Sequence, residues 1–261
     1  MKNNKPNWVT QMIERTGKPH LSYSSIKYAL QDMALFELYM SGKLKKDSDA
    51  LQFGSAYDCM LFTPERFEDQ FFVLDDSEIY AKLTTDGSKS PRSTSAYKEW
   101  KQEAELSIGK RTVMSQQDHQ QIIDMITRLD DCGIIEIYLQ GDYQVEFNKE
   151  IDGIPLKGFL DCKGSGFITD SKSTRAISGF RSDVKYLGYD IQAYLYCKVF
   201  GYKDFYWVAQ EKSYPYVPGV YKASEQTLRF GEEKFNRAVS TIREYFEKDK
   251  PSSLFYLEGE I

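Results

Sequence analysis

Lys157-Gly-Phe-Leu-Asp161-Cys-Lys-Gly-Ser-Gly-Phe-Ile-Thr-Asp170-Ser-Lys172 is the stretch on which the fold of this chain turns. The apolar pair Phe159-Leu160 leads into Asp161, Gly164-Ser-Gly166 supplies a turn that tolerates positive φ, and Phe167-Ile-Thr169 reads as a returning strand. Strand side chains alternate between faces, so Asp170 and Lys172 share one face and Ser171 takes the other. A hairpin of this length sets Asp161 beside Asp170. Two carboxylates at one spot repel each other unless a cation joins them, and an all-oxygen set suits Mg²⁺ or Mn²⁺. A metal held there lowers the pKa of a bound water and neutralises charge on a phosphate, with Lys172 placed to orient or deprotonate that water or to stabilise developing charge. A solvated hairpin edge can carry the same letters, so the rest of the chain has to decide.

The chain has 261 residues, room for one large domain or two small ones. Hydrophobic residues at 41% and charged residues at 28% are ordinary for a globular fold, while aromatics at 15% support a sizeable core with rings to spare for a groove or interface. No apolar run approaches a membrane span and no signal peptide is evident, so a membrane partner is not expected. Cys59, Cys132, Cys162 and Cys197 stand singly, without a CxxC pair, which argues against zinc and iron–sulfur sites and for reduced thiols in a cytoplasmic protein. His20 and His119 are too few and too far apart for a His-based metal site. A net charge of −5 argues against a protein that coats nucleic acid by bulk charge, but leaves room for a local basic groove.

The order of elements is legible from periodicity and punctuation. Met1 to Pro6 is polar and expected to fray; Ser22 or Ser24 can cap a helix running to about Met40, ended by Gly42-Lys-Leu-Lys-Lys46. A helix over Ala50–Phe62 stops at Thr63-Pro64; Asp86–Ser95 is loop-like; Ser95 to about Ile108 is helical; and Ser115 can cap a helix carrying Ile122, Ile123, Met125, Ile126 and Leu129. After Gly133 the texture turns to strands: Tyr143–Phe147, Ile154–Asp161, Phe167–Lys172, Phe205–Ala209 and Val217–Tyr221, with helices over Gly188–Phe200 and Leu228–Phe246. Trp100 and Trp207 are expected in the core. No repeat or linker divides the chain, so one α/β domain spanning residues 1–261 is expected. It would have an all-helical N-terminal part at about 20–130 folded against a mixed sheet at about 140–261.

Two further constellations bear on the hairpin. Gln192 and Tyr196 stand i,i+4 on the helix that follows it, so an amide and a phenol can point at the carboxylates together, or simply edge the core. Gly54 and Asp58 are also i,i+4, on the Phe53-Gly-Ser-Ala-Tyr-Asp58 helix; the small residue leaves room for a strand one turn before a third carboxylate.

This order of helical acid, Asp, Asp-x-Lys and Gln-x-x-x-Tyr helix resembles the PD-(D/E)XK nuclease superfamily. More narrowly, it is similar to the RecE-type, exonuclease VIII-like branch of phages and prophages. The resemblance covers most of the chain, through Leu21-Ser-Tyr-Ser-Ser25, Phe53 to Phe67, Lys157 to Asp161, Asp170-Ser-Lys172, Tyr189 to Tyr196 and Val208 to Tyr216. It implies a restriction-endonuclease-like core: a mixed central sheet flanked by helices, with a helical N-terminal half. It implies Asp161, Asp170, the Ser171 carbonyl and Asp58 as metal ligands, Lys172 as the catalytic lysine, and Gln192 and Tyr196 as the trailing helix motif. Members often carry His at the position of Asp58, a departure that bears on metal preference.

The activity implied is a Mg²⁺-dependent (or Mn²⁺-dependent) exonuclease that digests linear double-stranded DNA from its ends and leaves single strands for recombination or repair. An annealing protein would be its partner and a ring-like homo-oligomer its assembly. A structure- or sequence-selective endonuclease and an inactive DNA-end binder are the alternatives. For DNA contacts the candidates are Lys89 and Arg92 in the Ser/Thr-rich loop, and Arg175, Arg181 and Lys185 after the hairpin; solvated surface charge is an equally open reading of each.

Overall fold

The computed structural model describes residues 6–44, 48–106 and 108–248; Met1–Lys5, expected to fray, and Lys45 and Lys46 of the helix-ending run lie outside them. In chain order the elements are α1 (Asn7–Thr16), α2 (Tyr23–Gln31), α3 (Met33–Met40), α4 (Asp49–Phe62), α5 (Phe67–Gln70), β1 (Phe71–Leu74), α6 (Ser77–Thr85), α7 (Ser95–Leu106), β2 (Thr112–Ser115), α8 (Gln116–Asp131) and α9 (Ile134–Tyr138). Then follow β3 (Asp142–Ile151), β4 (Ile154–Lys163), β5 (Phe167–Thr174), α10 (Phe180–Tyr186), α11 (Tyr189–Phe200), β6 (Asp204–Glu211), β7 (Pro218–Lys222) and α12 (Glu225–Glu247), with 3₁₀ turns at Pro64–Arg66, Pro91–Ser93 and Ile177–Gly179.

Local chemistry sets the helix ends. Ser22 caps α2 in a reciprocal box with Ser25, and Ser48, Ser115 and Ser224 accept from the backbone N–H of Leu51, Asp118 and Thr227. The helix expected to run unbroken to Met40 is in fact two. Asp32 leaves helical geometry (φ −166°, ψ 135°), and its carboxylate accepts from Ala34 and Leu35 N–H to start α3. A short acid competes well for backbone donors and caps a helix better than it continues one.

The central sheet runs β3-β4-β5-β6-β7, antiparallel except for the parallel β5/β6 pair, which α10 and α11 connect. Helices cover both faces. On one side α1, α2, α3, α11 and α12 bury Trp8, Phe36, Leu195, Phe235 and Phe246 with Leu156, Leu160, Ile168 and Phe205 of the strands. On the other, α4, α8 and α9 bury Tyr57, Phe62, Ile122, Met125 and Leu129 against Cys162 and Val208. The architecture is therefore an α/β fold with a mixed central sheet flanked by helices, as the sequence implied. The N-terminal half, however, is not all-helical: β1 and β2 form a small parallel sheet, Phe71↔Thr112 to Leu74↔Ser115. Four-residue apolar runs carry too little periodicity to separate strand from helix. Trp207 is buried, but Trp100 is only half-buried, set against Tyr97. Cys59, Cys132, Cys162 and Cys197 are all free thiols, and no described helix is long and apolar enough to cross a membrane.

Two irregularities shape the middle of the sheet. The β3/β4 register is unchanged on either side of Gln144, yet Gln144 adopts φ 49° and its pairing with Asp161 is missing. Past that point the hairpin rolls over: Val145 and Leu160 face the first core, whereas Cys162 faces the second and Tyr143 stacks on Phe62 there. Meanwhile β4 and β5 pair only at Cys162↔Thr169 and Lys163↔Ile168, then part. The edge of β4 so released is taken further along by Leu21, which bridges Leu156 through Leu21 N–H to Pro155 O (2.8 Å) and Lys157 N–H to Leu21 O (2.8 Å).

The tightest helix packing is α11 on α12. A Cβ added at Gly231 would stand 2.1 Å from Asp190 O and 2.8 Å from Tyr194 Cβ. Alanine normally gains about 1 kcal/mol over glycine within a helix, but a backbone carbonyl cannot yield as a side chain does, and overpacking costs about 1–3 kcal/mol or more. Gly231→Ala is therefore expected to lower the melting temperature despite its better helix propensity; a rise would show that the two helices can part without cost.

Candidate active site

Most of the candidate side chains gather where β4 and β5 separate. Asp170 is 2% exposed. Its Oδ1 accepts from Gln192 Nε2 of α11 at 2.6 Å, and its Oδ2 is ion-paired with Lys172 Nζ. Lys172 Nζ also donates to the Ser171 carbonyl at 3.1 Å, and lies 5.1 Å from the centre of the Tyr189 ring. Asp161 accepts the Ser171 N–H through Oδ2 at 2.9 Å, which holds its carboxylate across from Asp170 although the strands have already parted. Asp58 reaches the group from α4 on the second face of the sheet, beside the buried Ser171 side chain. Gly54, one turn earlier, faces Ser173, but a Cβ there would stand 4.0 Å from Ser173 Oγ, an ordinary contact, so the close approach expected to need a small residue is not seen.

The electrostatics of the cluster follow from its crowding. Burial, then repulsion from Asp170 and Asp58, holds Asp161 well above the usual carboxylate range against the pull of Lys172 and the Ser171 N–H. Asp58, also raised chiefly by burial and then by the charge of Asp170, is pushed up to about 7, with Lys172 and Ser171 opposing. Burial alone would lower the pKa of Lys172, but Asp170, Asp161 and Tyr189 together outweigh it and raise it. Lys172 is consequently an ammonium that donates and stabilises negative charge; while paired with Asp170 it cannot deprotonate a water, one of the roles left open by the sequence. Tyr23, Tyr189 and Tyr196 are held as neutral hydroxyls, primarily by burial.

Three carboxylates thus face one ammonium. Their oxygens, with the Ser171 carbonyl, are the hard donors that suit a small divalent cation, and the Lys172 ammonium already rests as an internal stand-in cation on two of them, Asp170 Oδ2 and Ser171 O. The donor chemistry fits. The side chains are not drawn to ligand spacing: among the described residues no three His, Cys, Asp or Glu side chains form a ready-made metal group.

Of the residues named from sequence, Asp58, Asp161, Asp170, Ser171, Lys172 and Gln192 meet here. Tyr196 feels the charge of Asp170, but its ring packs edge-on against Phe147 at 5.5 Å, near Gly158. The basic candidates divide. Arg175, Arg181 and Lys185 are exposed on the segment leaving β5 and on α10, with Arg181 leaning over Tyr221. Lys89 is exposed in the turn after α6, while Arg92 is turned onto Asp76 (Nε to Oδ2, 2.8 Å) and the face of Tyr80. Its fork is occupied within the α6–α7 unit. Sequence reasoning missed Tyr23, Tyr57, Tyr189 and Gln210. All four lie inside quoted stretches; for the three tyrosines an aromatic beside a polar site is a usable signal, whereas nothing in the letters marks the partners of Gln210.

A mixed five-stranded sheet whose diverging strands present Asp161, Asp170 and Lys172, with Gln192 on the following helix, has the architecture of the PD-(D/E)XK-like nuclease superfamily. The chain belongs to the family described as the PDDEXK-like domain of unknown function (DUF3799), whose family model matches residues 22–253. Its fold resembles the crystal structure of a candidate exonuclease from Eubacterium rectale, with TM-score 0.64 and 17% identity over 100% of this chain and 96% of that one. A second solved structure, SSO0001, covers 82% of this chain and 85% of its own at 15% identity, with a TM-score of only 0.29. No curated protein shows significant similarity.

The raised Asp58 gives a pH signature. Its folded value of about 7 exceeds the ordinary 3.8, so the metal-free folded state holds that proton more tightly than the unfolded chain does. The corresponding stability is complete below the ordinary value and is lost as pH rises through 7. Metal-free Asp58→Asn should therefore melt above wild type at about pH 8 and approach it at about pH 5. Equal melting temperatures at both pH values would mean that Asp58 titrates normally.

Proposed function

We propose that this protein is a divalent-metal-dependent deoxyribonuclease, a RecE-type exonuclease that hydrolyses phosphodiester bonds from the ends of linear double-stranded DNA. The observation that carries the reading is the convergence of Asp161, Asp170, Lys172 and Gln192 at one point, where acidic groups outnumber the single ammonium. Asp161 and Asp170, with Asp58 and the Ser171 carbonyl, would hold Mg²⁺ or Mn²⁺, which supplies an activated water and charge neutralisation at the phosphate. Lys172 supplies the mobile positive charge: released from Asp170, its ammonium can donate to the attacked phosphate or to the attacking water. Gln192 fixes the rotamer of Asp170, and Tyr196, held neutral, borders the site as a hydroxyl donor.

Action at ends is supported by an adjoining cleft of about 660 Å³ along the released edge of β4. Tyr23, Tyr39, Phe159 and Tyr196 line it, with Lys18, whose ammonium lies over the Tyr39 ring at 5.4 Å, and Lys157, which is ion-paired with Glu146 at 2.6 Å. Rings for stacking and ammoniums for phosphates are the chemistry of single-strand binding. Arg175, Arg181 and Lys185 on one flank, and Lys89 more remotely, are the candidate phosphate contacts. The same reading implies a cytoplasmic protein, a ring-like homo-oligomer that would retain the duplex, and an annealing protein that would take up the single strands.

The test is end-labelled linear duplex with Mg²⁺ beside a closed circle. Wild type should shorten the linear DNA and leave the circle intact, while Lys172→Ala and Asp170→Asn should each lose about 10²- to 10³-fold or more in rate with folding retained. Cutting of the circle would favour an endonuclease. Undiminished rates in both variants would remove the assignment altogether.

A further inference from the structure

Behind Asp58 lies a buried polar relay that the metal chemistry does not use. Gln210, on β6, is wholly buried. Its Nε2 donates to two main-chain carbonyls, Met125 O of α8 at 2.8 Å and Tyr216 O of the β6–β7 loop at 3.0 Å. With both amide protons committed, the orientation of the amide is fixed, and Oε1 must face α4. There it accepts the Tyr57 hydroxyl at 2.7 Å, a contact between residues 153 positions apart. Tyr57 is itself wholly buried, with Phe53, Phe62, Ile122, Met125, Cys162 and Val208 in its core cluster. It directly precedes Asp58, and successive side chains on a helix point about 100° apart. Holding the Tyr57 ring to β6 therefore turns Asp58 toward β5. On that side lies the buried Ser171 side chain, near both Tyr57 and Asp58.

We propose that Gln210 is a positioning residue for the catalytic centre: through the Tyr57 hydroxyl it sets the rotation of α4 on the sheet and so holds Asp58 toward Asp170. The inference rests on the nuclease reading and deepens it. A buried phenol could have been satisfied by a backbone carbonyl; here a side chain locked by two carbonyls receives it, which fixes direction as well as satisfying the group. Groups behind metal-side carboxylates act in this way, and their loss typically costs 10- to 100-fold in metal affinity or activity.

Tyr57→Phe is the sharpest variant, because it removes one oxygen and keeps the ring; Gln210→Met is the partner variant and leaves more groups unpaired. Both are to be made alone and on Asp58→Ala, with folding followed by thermal melting, Mn²⁺ affinity by calorimetry, and kcat and KM on linear duplex. Alone, each should weaken Mn²⁺ binding and kcat by about 10- to 100-fold with KM for DNA little changed. On Asp58→Ala neither should weaken Mn²⁺ binding further, although melting temperatures still fall. Losses confined to melting temperature, or losses in Mn²⁺ affinity that multiply with Asp58→Ala, would make the relay merely structural and overturn the proposal. A wild-type protein that takes up no Mn²⁺ and cuts no DNA would instead overturn the nuclease reading, and this inference with it.

Discussion

The ion pair between Lys172 and Asp170 is the interaction around which the rest of the molecule is arranged. Alone it would be an ordinary compensated pair. Asp161 and Asp58 crowd the same point, and one ammonium cannot neutralise three carboxylates. The result is a centre in which two acids resist ionisation while the lysine is held charged. Burying such a set costs stability, because desolvated like charges are not repaid by hydrogen bonds alone. A fold that needed only a core would do better with apolar residues here, which is what the proposed role in holding a cation and a phosphate would explain.

The architecture supplies that crowding from several directions. Parting β4 from β5 after two residue pairs opens the space, the roll-over at Gln144 and Asp161 turns a carboxylate into it, and Leu21 closes the far end of the released edge. On one face α11 delivers Gln192 to Asp170. That helix is anchored by its own buried acid, Asp190, which pairs with Lys234 of α12 at 2.6 Å and whose carbonyl packs against Gly231. On the opposite face α4 brings Asp58, steadied by Tyr57 and Gln210. The candidate site groups thus come from a strand pair and two helices on opposite sides of one sheet, each helix held by a buried polar contact.

Much of this was legible in the letters where the information is local. The hairpin from Asp161 to Lys172, the serine caps, and the spacings Gln192/Tyr196 and Gly54/Asp58 depend on turn chemistry and on periods of two and 3.6, which a sequence displays directly. Asp32 was misread because a capping acid embedded between two apolar helical runs looks like a helix interior. The small β1/β2 sheet escaped because its strands are too short to show a period. Gln210 and the engagement of Arg92 with Asp76 were invisible for a different reason. Their meaning lies in partners, and a polar residue shows no sign in sequence of which distant group it will meet. The role of Lys172 depends likewise on distant partners, since its pKa is set by Asp170, Asp161 and Tyr189, which come from three different elements.

The proposed function requires Asp161, Asp170 and Asp58 to form a cation site in which protons and Lys172 stand in for metal. Its most direct test is calorimetric titration of the metal-free protein with Mn²⁺ at neutral pH, repeated in two buffers of different ionisation enthalpy, for wild type and Asp161→Asn. The account requires uptake accompanied by proton release, because carboxyl groups with raised pKa must ionise to bind, and much weaker uptake in the variant. Absence of binding in wild type, or binding without proton release that Asp161→Asn leaves unchanged, would contradict it.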